Sequence, residues 1–406
     1  MGGVKQIPRE IWVLLSSNFV IALGFGLIAP ALPTFARSFN VGITAASIII
    51  SAFAFMRLAF APVSGRLVRV LGERRIYLAG LLIVAASTLA CAFAQTYWQL
   101  LVFRGLGGIG STMFSVSATA LMIRLAPPDI RGRVSGYFSS GFLVGNITGP
   151  LVGSALIGFG LRMPFVVYAI ALLVASAVVA TQLRGVGGRP QPGAAAQAAM
   201  PLREALRDSA YRAILASSFT QGWASMGVRV ALVPLLIVDE LGESAAMSGV
   251  VLAIYSAGNV LAIMVAGRLS DSWGRRPIML PGLALMGGAT VVLGYSGNIW
   301  IVGGLTFVAG IGSGLFAPTH QAALADVLAG RGQGGPALAT FQMTTDLGSI
   351  SGPVIAGAIA QTWGFGPAFA MTGAIAFAAL IVWGFARETA PARTGIQIPA
   401  KEPRPN

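Results

Sequence analysis

The chain has 406 residues, of which 55% are hydrophobic and only 10% are charged. A water-soluble protein carries about 25% charged residues, so this chain lacks the polar side chains needed to cover a water-exposed globule. The net charge of +14 would suggest nucleic acid binding in a soluble protein. Here the basic residues lie in short loops between apolar runs, so we expect a lipid bilayer as partner and no nucleic acid.

Twelve mostly apolar runs follow one another along the chain, and a membrane helix needs about 20 such residues. In the first half, spans 1 to 6 cover residues 11–35, 43–65, 76–95, 98–123, 134–158 and 162–183. In the second half, spans 7 to 12 cover residues 211–238, 245–267, 277–296, 299–325, 336–361 and 365–386. The sequence therefore predicts an all-α membrane protein with twelve transmembrane helices.

Residues 184–208, between the two sets of spans, are rich in Pro, Gly, Ala and charge. This composition is typical of a flexible linker. The predicted organisation is an N-terminal six-helix bundle (1–183), a cytoplasmic linker, a C-terminal six-helix bundle (209–390) and a cytoplasmic tail (391–406).

The distribution of basic residues predicts the orientation in the membrane. With both termini in the cytoplasm, 22 of the 27 Lys and Arg residues fall on the cytoplasmic side. Arg37 and Arg162 fall outside, whereas Arg57, Arg104 and Arg229 lie within spans. We therefore expect a multi-pass protein of the cell (inner) membrane with both termini in the cytoplasm.

The two halves share short segments at an offset of about 202 residues. Residues 108–111 and 310–313 both read Gly-Ile-Gly-Ser, and residues 65–67 and 267–269 both read Gly-Arg-Leu. Parallel six-helix repeats of this kind are the layout of one large class of secondary transporters. The offset therefore predicts two pseudo-symmetric bundles.

Few side chains in the sequence suit chemistry at a membrane surface. The chain has one cysteine, Cys91, and one histidine, His320, so we expect no disulfide framework and no metal site. A membrane enzyme would need a cluster of His, Asp or Cys residues, and no G-x-x-x-x-G-K-S/T nucleotide loop is present. We expect neither an enzyme nor a bound cofactor.

The loop after span 8 reads Gly267-Arg-Leu-Ser-Asp271-Ser-Trp-Gly274-Arg275-Arg276. Asp271 can face a helix N-terminus, and the arginines can hold the cytoplasmic side together by charge and hydrogen bonds. This pattern predicts an ordered, charged loop on the cytoplasmic side of the second bundle.

The equivalent loop after span 2 keeps only part of this pattern. Gly65, Gly72 and Arg74 match it, but Arg69 stands where the acid is expected. In the first half the role of the acid is therefore either lost or partly taken over by Glu73.

Two further patterns lie inside spans. Span 4 carries Arg104-x3-Gly108-x-Gly110. An arginine at a helix centre costs at least about 2.5–3.5 kcal/mol in a membrane, so its position should be functional or firmly paired. Span 5 carries a glycine pattern that lets a helix bend and pack closely, and this pattern reads Gly136-x8-Gly145-x3-Gly149-Pro150-x2-Gly153.

These patterns, with Pro30-Ala-Leu-Pro33 in span 1, resemble the major facilitator superfamily across essentially the whole chain. The charged loop matches the superfamily's G-x-x-x-D-x-x-G-R-R loop, and span 4 resembles the R-x-x-x-G-x-G element of its proton-coupled members. Span 5 resembles the antiporter motif of twelve-helix drug:proton exporters; a close-packed helix interface is the alternative interpretation. The resemblance implies the major facilitator fold, protons as coupling ion and a monomer.

Asp346, in span 11, is the acid that lies deepest in a predicted span. Burial favours the neutral form of a carboxylate, and a nearby cation favours the charged form. A carboxylate that moves between these environments can take up and release a proton. We therefore predict that Asp346 couples transport to protons, with a permanent ion pair as the alternative.

Arg57, in span 2, is the predicted partner of Asp346. At a rise of ~1.5 Å per residue, both lie about 12–15 Å from the cytoplasmic face. The resemblance places spans 2 and 11 opposite each other, so we expect an ion pair that bridges the bundles when the protein is closed on the inside. His320 lies at a similar depth and either joins them or is a structural hydrogen-bonding group. With Arg104, these residues are the charge-switch candidates.

The resemblance implies a substrate cavity lined by spans 1, 4, 7 and 10. Aromatic and Met side chains would make this pocket apolar and adaptable, although each could instead contact lipid or pack in a core. Arg229 would attract an anionic substrate or pair with Asp239 or Glu240. The candidate cavity residues are Asn18, Phe25, Arg104, Met113, Phe114, Trp223, Met226, Arg229, Phe316 and His320.

The predicted function is proton-coupled export of small, lipophilic molecules by alternating access of two bundles to a central site. The alternative is an importer or facilitator of a small metabolite such as a sugar or an organic anion. The span 5 motif argues against this alternative, whereas Arg104 and Arg229 allow it for anions.

Overall fold

The computed structural model describes residues 8–126, 131–183, 201–329 and 335–390. Over these ranges the structure is helical and contains no strand. Most of the predicted linker and the whole predicted tail lie outside the described residues.

Twelve long helices follow the twelve predicted spans in order. The first bundle contains α1 (Arg9–Ile28), α2 (Ile43–Leu71), α3 (Glu73–Ala92), α4 (Tyr97–Leu125), α5 (Arg131–Ile157) and α6 (Met163–Gln182). The second contains α7 (Ser209–Glu240), α8 (Ala245–Trp273), α9 (Arg275–Leu293), α10 (Ile299–Leu328), α11 (Pro336–Trp363) and α12 (Phe365–Gly384). Two short helices, Ala31–Arg37 and Leu202–Ala205, precede α2 and α7.

Eleven of these helices are long and apolar enough to cross a membrane, judged over the described residues. The remaining one, α11, has 28 residues but carries several Thr and Ser side chains together with Asp346. One side of α11 packs against the other bundle, so its polar groups have protein partners. The twelve-helix, multi-pass architecture predicted from the sequence is thus confirmed.

Single glycines separate three pairs of consecutive helices. Gly72, Gly274 and Gly364 lie between α2 and α3, α8 and α9, and α11 and α12, with φ of 84°, 104° and 89°. Glycine adopts such positive φ values without the steric penalty that a Cβ imposes. The helices therefore continue beyond the predicted spans, and the charged loops are largely helix ends.

One helix, α7, is not uniform. Its segments Gln221–Val228 and Leu236–Glu240 have π-helical turns, and α-helical turns flank them. A π turn is wider than an α turn and occurs mostly as a short insertion, frequently at functional sites. The side chains that follow residue 221 therefore point in directions that a period of 3.6 residues does not give.

The bundles meet along a seam in which α2 packs on α11 and α5 packs on α8. We call the face that carries residues 8, 183, 201 and 390 the terminal face, and the opposite one the distal face. On the α2–α11 side, the Thr44 N–H donates to Gln361 Oε1 (3.1 Å). The Ser51 hydroxyl donates to the Ile350 carbonyl oxygen (2.7 Å). These bonds lie in the distal half of the seam.

The α5–α8 side of the seam is joined in the same half. The Ser154 hydroxyl donates to the Ala246 carbonyl oxygen (2.5 Å), and the Ser256 hydroxyl donates to the Asn146 carbonyl oxygen (3.1 Å). A Cβ on Gly249 would lie 2.5 Å from the Pro150 carbonyl oxygen, so α5 and α8 touch backbone to backbone.

Packing of this kind is missing nearer the terminal face. Gly65 on α2, Gly136 on α5 and Gly267 on α8 have no neighbouring atom within 4 Å of the position a Cβ would take. At these three described positions the space beside the glycine is not filled by the other bundle. The bundles are therefore closed on each other distally.

Candidate functional site

A small cavity of about 50 Å³ lies between the bundles. Pockets that hold drug-sized molecules measure about 300–1,000 Å³, so this cavity has to widen to take one. The walls come from α1, α2 and α4 of the first bundle and from α7 and α11 of the second. The lining includes the apolar Phe25, Ile28, Leu32, Phe53, Met226 and Val230, and the polar Arg57, Arg104 and Ser349.

An ion pair joins the bundles beside this cavity. The guanidinium of Arg57 on α2 donates to Asp346 Oδ1 on α11. The Asp346 side chain is 7% exposed and that of Arg57 is 30% exposed, so the carboxylate depends on Arg57 for a counter-charge.

The structure contains the predicted contact between Arg57 and Asp346, but not in the state expected for it. The sequence placed the pair in a protein closed on the side of the termini. In the structure the pair forms while the distal seam is packed, because it lies directly beyond Ser51 and Ile350 on the same two helices.

Arg104 on α4 is buried in the cavity wall with a residual exposure of 9%. Its Cζ lies 4.2 Å from the centroid of the Phe53 ring, a distance at which a cation and an aromatic face attract. Its Nε has no hydrogen-bond partner, and no described acid is paired with its guanidinium. Arg104 is therefore a buried cation without a counter-ion among the described residues.

His320 on α10 is 2% exposed and packs between two aromatic rings. The ring centroids of Phe316 and Phe341 lie 5.8 Å and 5.3 Å from that of the imidazole. The imidazole Nδ1 has no hydrogen-bond partner. The structure therefore places His320 in the interior of the second bundle, apart from the residues that line the cavity.

Arg229 on α7 lies within the second bundle. Its Cζ lies 3.7 Å from the Tyr255 ring centroid, and its Nε and Nη2 donate to the Ser225 carbonyl oxygen (3.1 and 2.6 Å). It lines a separate, small cavity of about 30 Å³ between helices of that bundle. The alternative in which Arg229 pairs with Asp239 or Glu240 is not found among the ion pairs of the described residues, and Asp239 pairs across the seam with Arg37 (3.1 Å).

The structure brings some of the predicted cavity residues together and leaves others apart. Phe25 and Met226 line the cavity, with Arg104. Five other candidates point into the bundles and are buried there to 5% exposure or less. These buried candidates are Asn18, Met113, Phe114, Trp223 and Phe316.

Two of these buried residues show what holds them there. The Asn18 amide donates to the Phe138 carbonyl oxygen (3.1 Å), which ties α1 to α5. The Trp223 indole N–H donates to Thr372 Oγ1 (3.3 Å), which ties α7 to α12.

The sequence did not identify Phe53 as a site residue, although its ring packs against the Arg104 guanidinium. The offset of 202 residues offered a signal, because it relates Phe53 to Tyr255, and Tyr255 stacks on Arg229.

The charged loop of the second bundle forms a network at the terminal face. Arg275 Nε donates to Asp326 Oδ2 on α10 (2.9 Å), and its Nη1 donates to Ser270 Oγ (2.9 Å) and contacts Asp271. The network joins the ends of α8, α9 and α10 within one bundle.

The segment after α12 completes this terminal face. The Glu388 carboxylate accepts from the backbone N–H groups of Arg275 (2.8 Å) and Arg276 (3.0 Å) and so caps α9. The Arg276 guanidinium also donates to the Gly384 carbonyl oxygen. Burial opposes the charge of Glu388, but hydrogen bonds from four backbone N–H groups hold its pKa below the usual value.

The first bundle has its own charged contacts at the terminal face. Arg124 Nη1 on α4 lies 2.8 Å from Glu73 Oε2 at the start of α3. Arg74 Nη2 donates to the Ala180 carbonyl oxygen on α6 (2.9 Å). Glu73, the residue expected to replace the missing acid in part, therefore carries an ion pair of its own.

The glycine pattern of α5 packs mainly against α1. A Cβ on Gly145, Gly149 or Gly153 would lie 2.7, 2.5 or 2.4 Å from atoms of α1, whereas one on Gly136 would meet nothing within 4 Å. The three glycines are spaced by four residues and so share one face of the helix. On its other side α5 touches α8 through Pro150, so the helix lies between its own bundle and the seam.

Two six-helix bundles with a cavity between them, as the described residues show, are an arrangement that secondary transporters use. The model of the Major Facilitator Superfamily matches residues 14–228 and 214–405. The chain therefore belongs to the major facilitator superfamily of membrane transporters, whose substrates are small molecules.

Three curated relatives are resistance proteins by name. The chain is 34% identical over 170 residues to "Multidrug resistance protein 2" of Bacillus subtilis (strain 168), covering 41% of this chain and 42% of that one. It is 27% identical over 318 residues to the class H tetracycline resistance protein of Pasteurella multocida, covering 72% and 75%. It is 26% identical over 398 residues to multidrug resistance protein MdtG of Citrobacter koseri, covering 93% and 95%. The chain thus spans under half of the first relative and most of the other two.

Solved structures share the fold at low sequence identity. A bacterial homologue of the human lysosomal transporter Spinster, inward-facing and occupied, has a TM-score of 0.73 at 14% identity, covering 92% of this chain and 95% of that one. A mutant of the nucleoside transporter NupG has a TM-score of 0.75 at 12% identity, covering 93% and 99%. At these identities the likeness shows the fold alone.

Proposed function

We propose that this protein is a proton-coupled exporter of small, lipophilic molecules, of the drug-efflux type. The Arg57–Asp346 ion pair carries the proposal, because it joins a buried carboxylate to the element that closes the seam. The mostly apolar cavity suits lipophilic substrates. Relatives named for multidrug and tetracycline resistance support export.

We place the protein in the cell (inner) membrane with the terminal face in the cytoplasm. Short basic segments favour the cytoplasmic side, and Arg9, Arg74, Arg268 and Arg276 are among the arginines of the terminal face. In this orientation the packed distal seam is the outer gate, and the structure corresponds to an inward-facing state. Each chain holds a complete cavity between its own bundles, so we propose that the monomer is the working unit.

Coupling follows from the charge of Asp346. A buried carboxylate without a counter-charge is costly, so Asp346 needs either Arg57 or a proton. A substrate that enters from the cytoplasm and separates the pair removes a link that holds the outer gate closed. A proton taken up by Asp346 on the outside then lets the neutral acid be buried again as the protein returns. Release of this proton into the cytoplasm restores the Arg57–Asp346 ion pair.

The proposal is tested by retention of a fluorescent lipophilic dye in cells that lack their own exporters. The cells express the wild type, Asp346→Asn or Glu240→Gln, with and without an uncoupler; Glu240 is an exposed acid at the distal end of α7. We expect the wild type and Glu240→Gln to lower retention and the uncoupler to abolish this. Asp346→Asn should give no uncoupler-sensitive efflux. Unchanged retention with the wild type over a broad dye panel would overturn the proposal in favour of metabolite import.

A further inference from the structure

The central cavity carries an excess of positive charge. Its lining contains two guanidinium groups, Arg57 and Arg104, and no carboxylate. Asp346, beside the cavity, is already paired with Arg57. Arg104 is therefore the cavity's unpaired cation, and a guanidinium remains charged in proteins.

The environment of Arg104 is incomplete without a ligand. The side chain is 9% exposed, its Nε lacks a hydrogen-bond partner and its face is covered by Phe53. A charged residue at membrane depth is normally paired with another group or marks the path of a substrate or ion. The contact with Phe53 covers the guanidinium without accepting a hydrogen bond from its Nε–H, so this donor is available to a ligand.

The rest of the cavity suits an apolar body. Phe25 and Ile28 of α1 line it together with Met226 and Val230 of α7, and Leu32 of the short helix Ala31–Arg37 adds a further apolar side chain. A cation at one point of an otherwise apolar cavity matches an amphiphilic molecule with one negative charge. It does not match a cationic molecule, which would find no free carboxylate here.

We propose that the central cavity selects lipophilic organic anions, with Arg104 binding the negatively charged head group and the α1 and α7 side chains binding the apolar body. This inference rests on the transport function proposed above and specifies its substrate class. A carboxylate or sulfonate accepts two hydrogen bonds from a guanidinium in a fixed plane. The Arg57–Asp346 pair remains available for the coupling step.

The test measures binding of three probes to the purified full-length protein in detergent. The probes are dansyl-aminohexanoate, its uncharged amide and dansyl-aminohexyl-trimethylammonium, which share a fluorophore and differ in charge. Binding is followed by dansyl fluorescence. We expect the carboxylate to bind about tenfold more tightly than the amide, as a charge-assisted hydrogen bond implies, and the cation to bind more weakly than the amide.

Substitutions of two arginines test whether Arg104 causes the preference for the carboxylate probe. Arg104→Gln should reduce the carboxylate-to-amide ratio to about one, and Arg104→Lys should keep part of it, because charge is retained while the planar fork is lost. Binding of the amide by Arg104→Gln shows that the cavity is intact. Arg229→Gln removes a second stacked arginine that lines the other cavity, and it should leave the ratio unchanged.

Three results would overturn the inference: tighter binding of the cation, a preserved ratio in Arg104→Gln, or an equal loss of the ratio in Arg229→Gln. The outcome is separable from that of the efflux experiment. Anion-selective binding without uncoupler-sensitive efflux would leave the inference standing and refute proton-coupled export. Efflux of cations with no effect of Arg104→Gln would do the reverse.

Discussion

Glu73 stands in the first bundle where Arg275 stands in the second, and each is ion-paired with a residue 51 positions further along the chain. Glu73 pairs with Arg124 (2.8 Å) and Arg275 pairs with Asp326 (2.9 Å). All four positions obey the offset of 202 residues, and both pairs join the start of one helix to the end of the next. The charges are reversed, yet the attraction is the same because it depends on the product of the two charges.

Reversing the first-bundle pair should test whether its sign matters. Glu73→Arg places two arginines together, and we expect it to lower the free energy of unfolding by about 1–3 kcal/mol. The loss should be smaller than for a fully buried ion pair, because Arg124 is partly exposed to solvent. The double variant Glu73→Arg/Arg124→Glu should recover most of the loss. Thermal unfolding in detergent measures both, with the exposed Arg69→Gln as the control. A double variant as unstable as the single one would contradict this interpretation.

The α5 glycines should differ sharply in their tolerance of a methyl group. Gly149→Ala would place a Cβ 2.5 Å from the Leu23 carbonyl oxygen, whereas Gly136→Ala meets no atom within 4 Å. We expect Gly149→Ala to destabilise the protein by about 1–3 kcal/mol through overpacking. Gly136→Ala should be neutral or slightly stabilising, because Ala favours a helix over Gly. Melting temperatures measure both, and equal values for the two variants would argue against α1–α5 packing as the reason for the glycines.

Gly249 should affect the seam and not the stability of either bundle. A Cβ there would lie 2.5 Å from the Pro150 carbonyl oxygen and 2.7 Å from Ser154 Cβ, both in the other bundle. We therefore expect Gly249→Ala to disfavour the distally closed state and reduce dye efflux several-fold with little change in melting temperature. Gly304→Ala, which meets no atom within 4 Å, is the matched control. Wild-type efflux by Gly249→Ala would show that this contact does not matter for transport.

The link between α7 and the segment after α12 should depend on pH. Asp208 accepts from Arg387 Nε (2.9 Å) and Nη2 (2.5 Å), and these bonds hold the pKa of Asp208 below its usual value. A lowered pKa in the folded state means that the stabilisation is present at neutral pH. It is lost as the pH falls below about 4 toward that pKa.

Asp208→Asn isolates this charge, because Asn also caps a helix well and the Asp208 carboxylate caps α7 at Ala210. At neutral pH we expect a loss of about 0.5–1 kcal/mol, since Arg387 is largely exposed and screened. The difference from the wild type should vanish in acid. A difference that persists unchanged below pH 4 would assign the effect to the cap.

The depth of side chains could be predicted from the sequence, whereas their direction could not. Arg57 and Asp346 were matched by counting residues from helix ends, which works because the rise per residue of an α-helix is nearly constant. The rotation of a helix is set by its neighbours. Phe114, for example, stacks on Tyr77 in the core of its bundle, with 5.0 Å between the ring centroids.

Helix α7 shows the same limit more strongly. The π turns from Gln221 onward shift the side chains after them, so Arg229 reaches Tyr255 and not the distal acids. The conformational state could not be predicted from the sequence either, because the same residues form every state of a transporter. The ion pair was thus foreseen, but the closure that accompanies it was not.

We propose above all that the Arg57–Asp346 pair holds the distal seam closed. Ser47 offers a reporter, since it is fully buried and a Cβ on Gly357 across the seam would lie 2.7 Å from its Oγ. In a Cys91→Ser background, the labelling rate of Ser47→Cys by a membrane-impermeant maleimide measures how often the seam opens.

The labelling rate of Ser47→Cys is compared in three chains. One keeps Asp346, one carries Asp346→Asn, and one carries Glu240→Gln as the control for loss of an acid. The native Cys91, 1% exposed inside the first bundle, reports unfolding when labelled in the chain without the new cysteine. We predict that Asp346→Asn raises the labelling rate of Ser47→Cys about tenfold, which corresponds to a shift of ~1.4 kcal/mol. The labelling rate of Ser47→Cys should stay low in the Glu240→Gln chain. The labelling rate of the native Cys91 should stay low as well. Equal labelling rates of Ser47→Cys in the chain with Asp346 and in the Asp346→Asn chain would contradict a role of the ion pair in closing the seam.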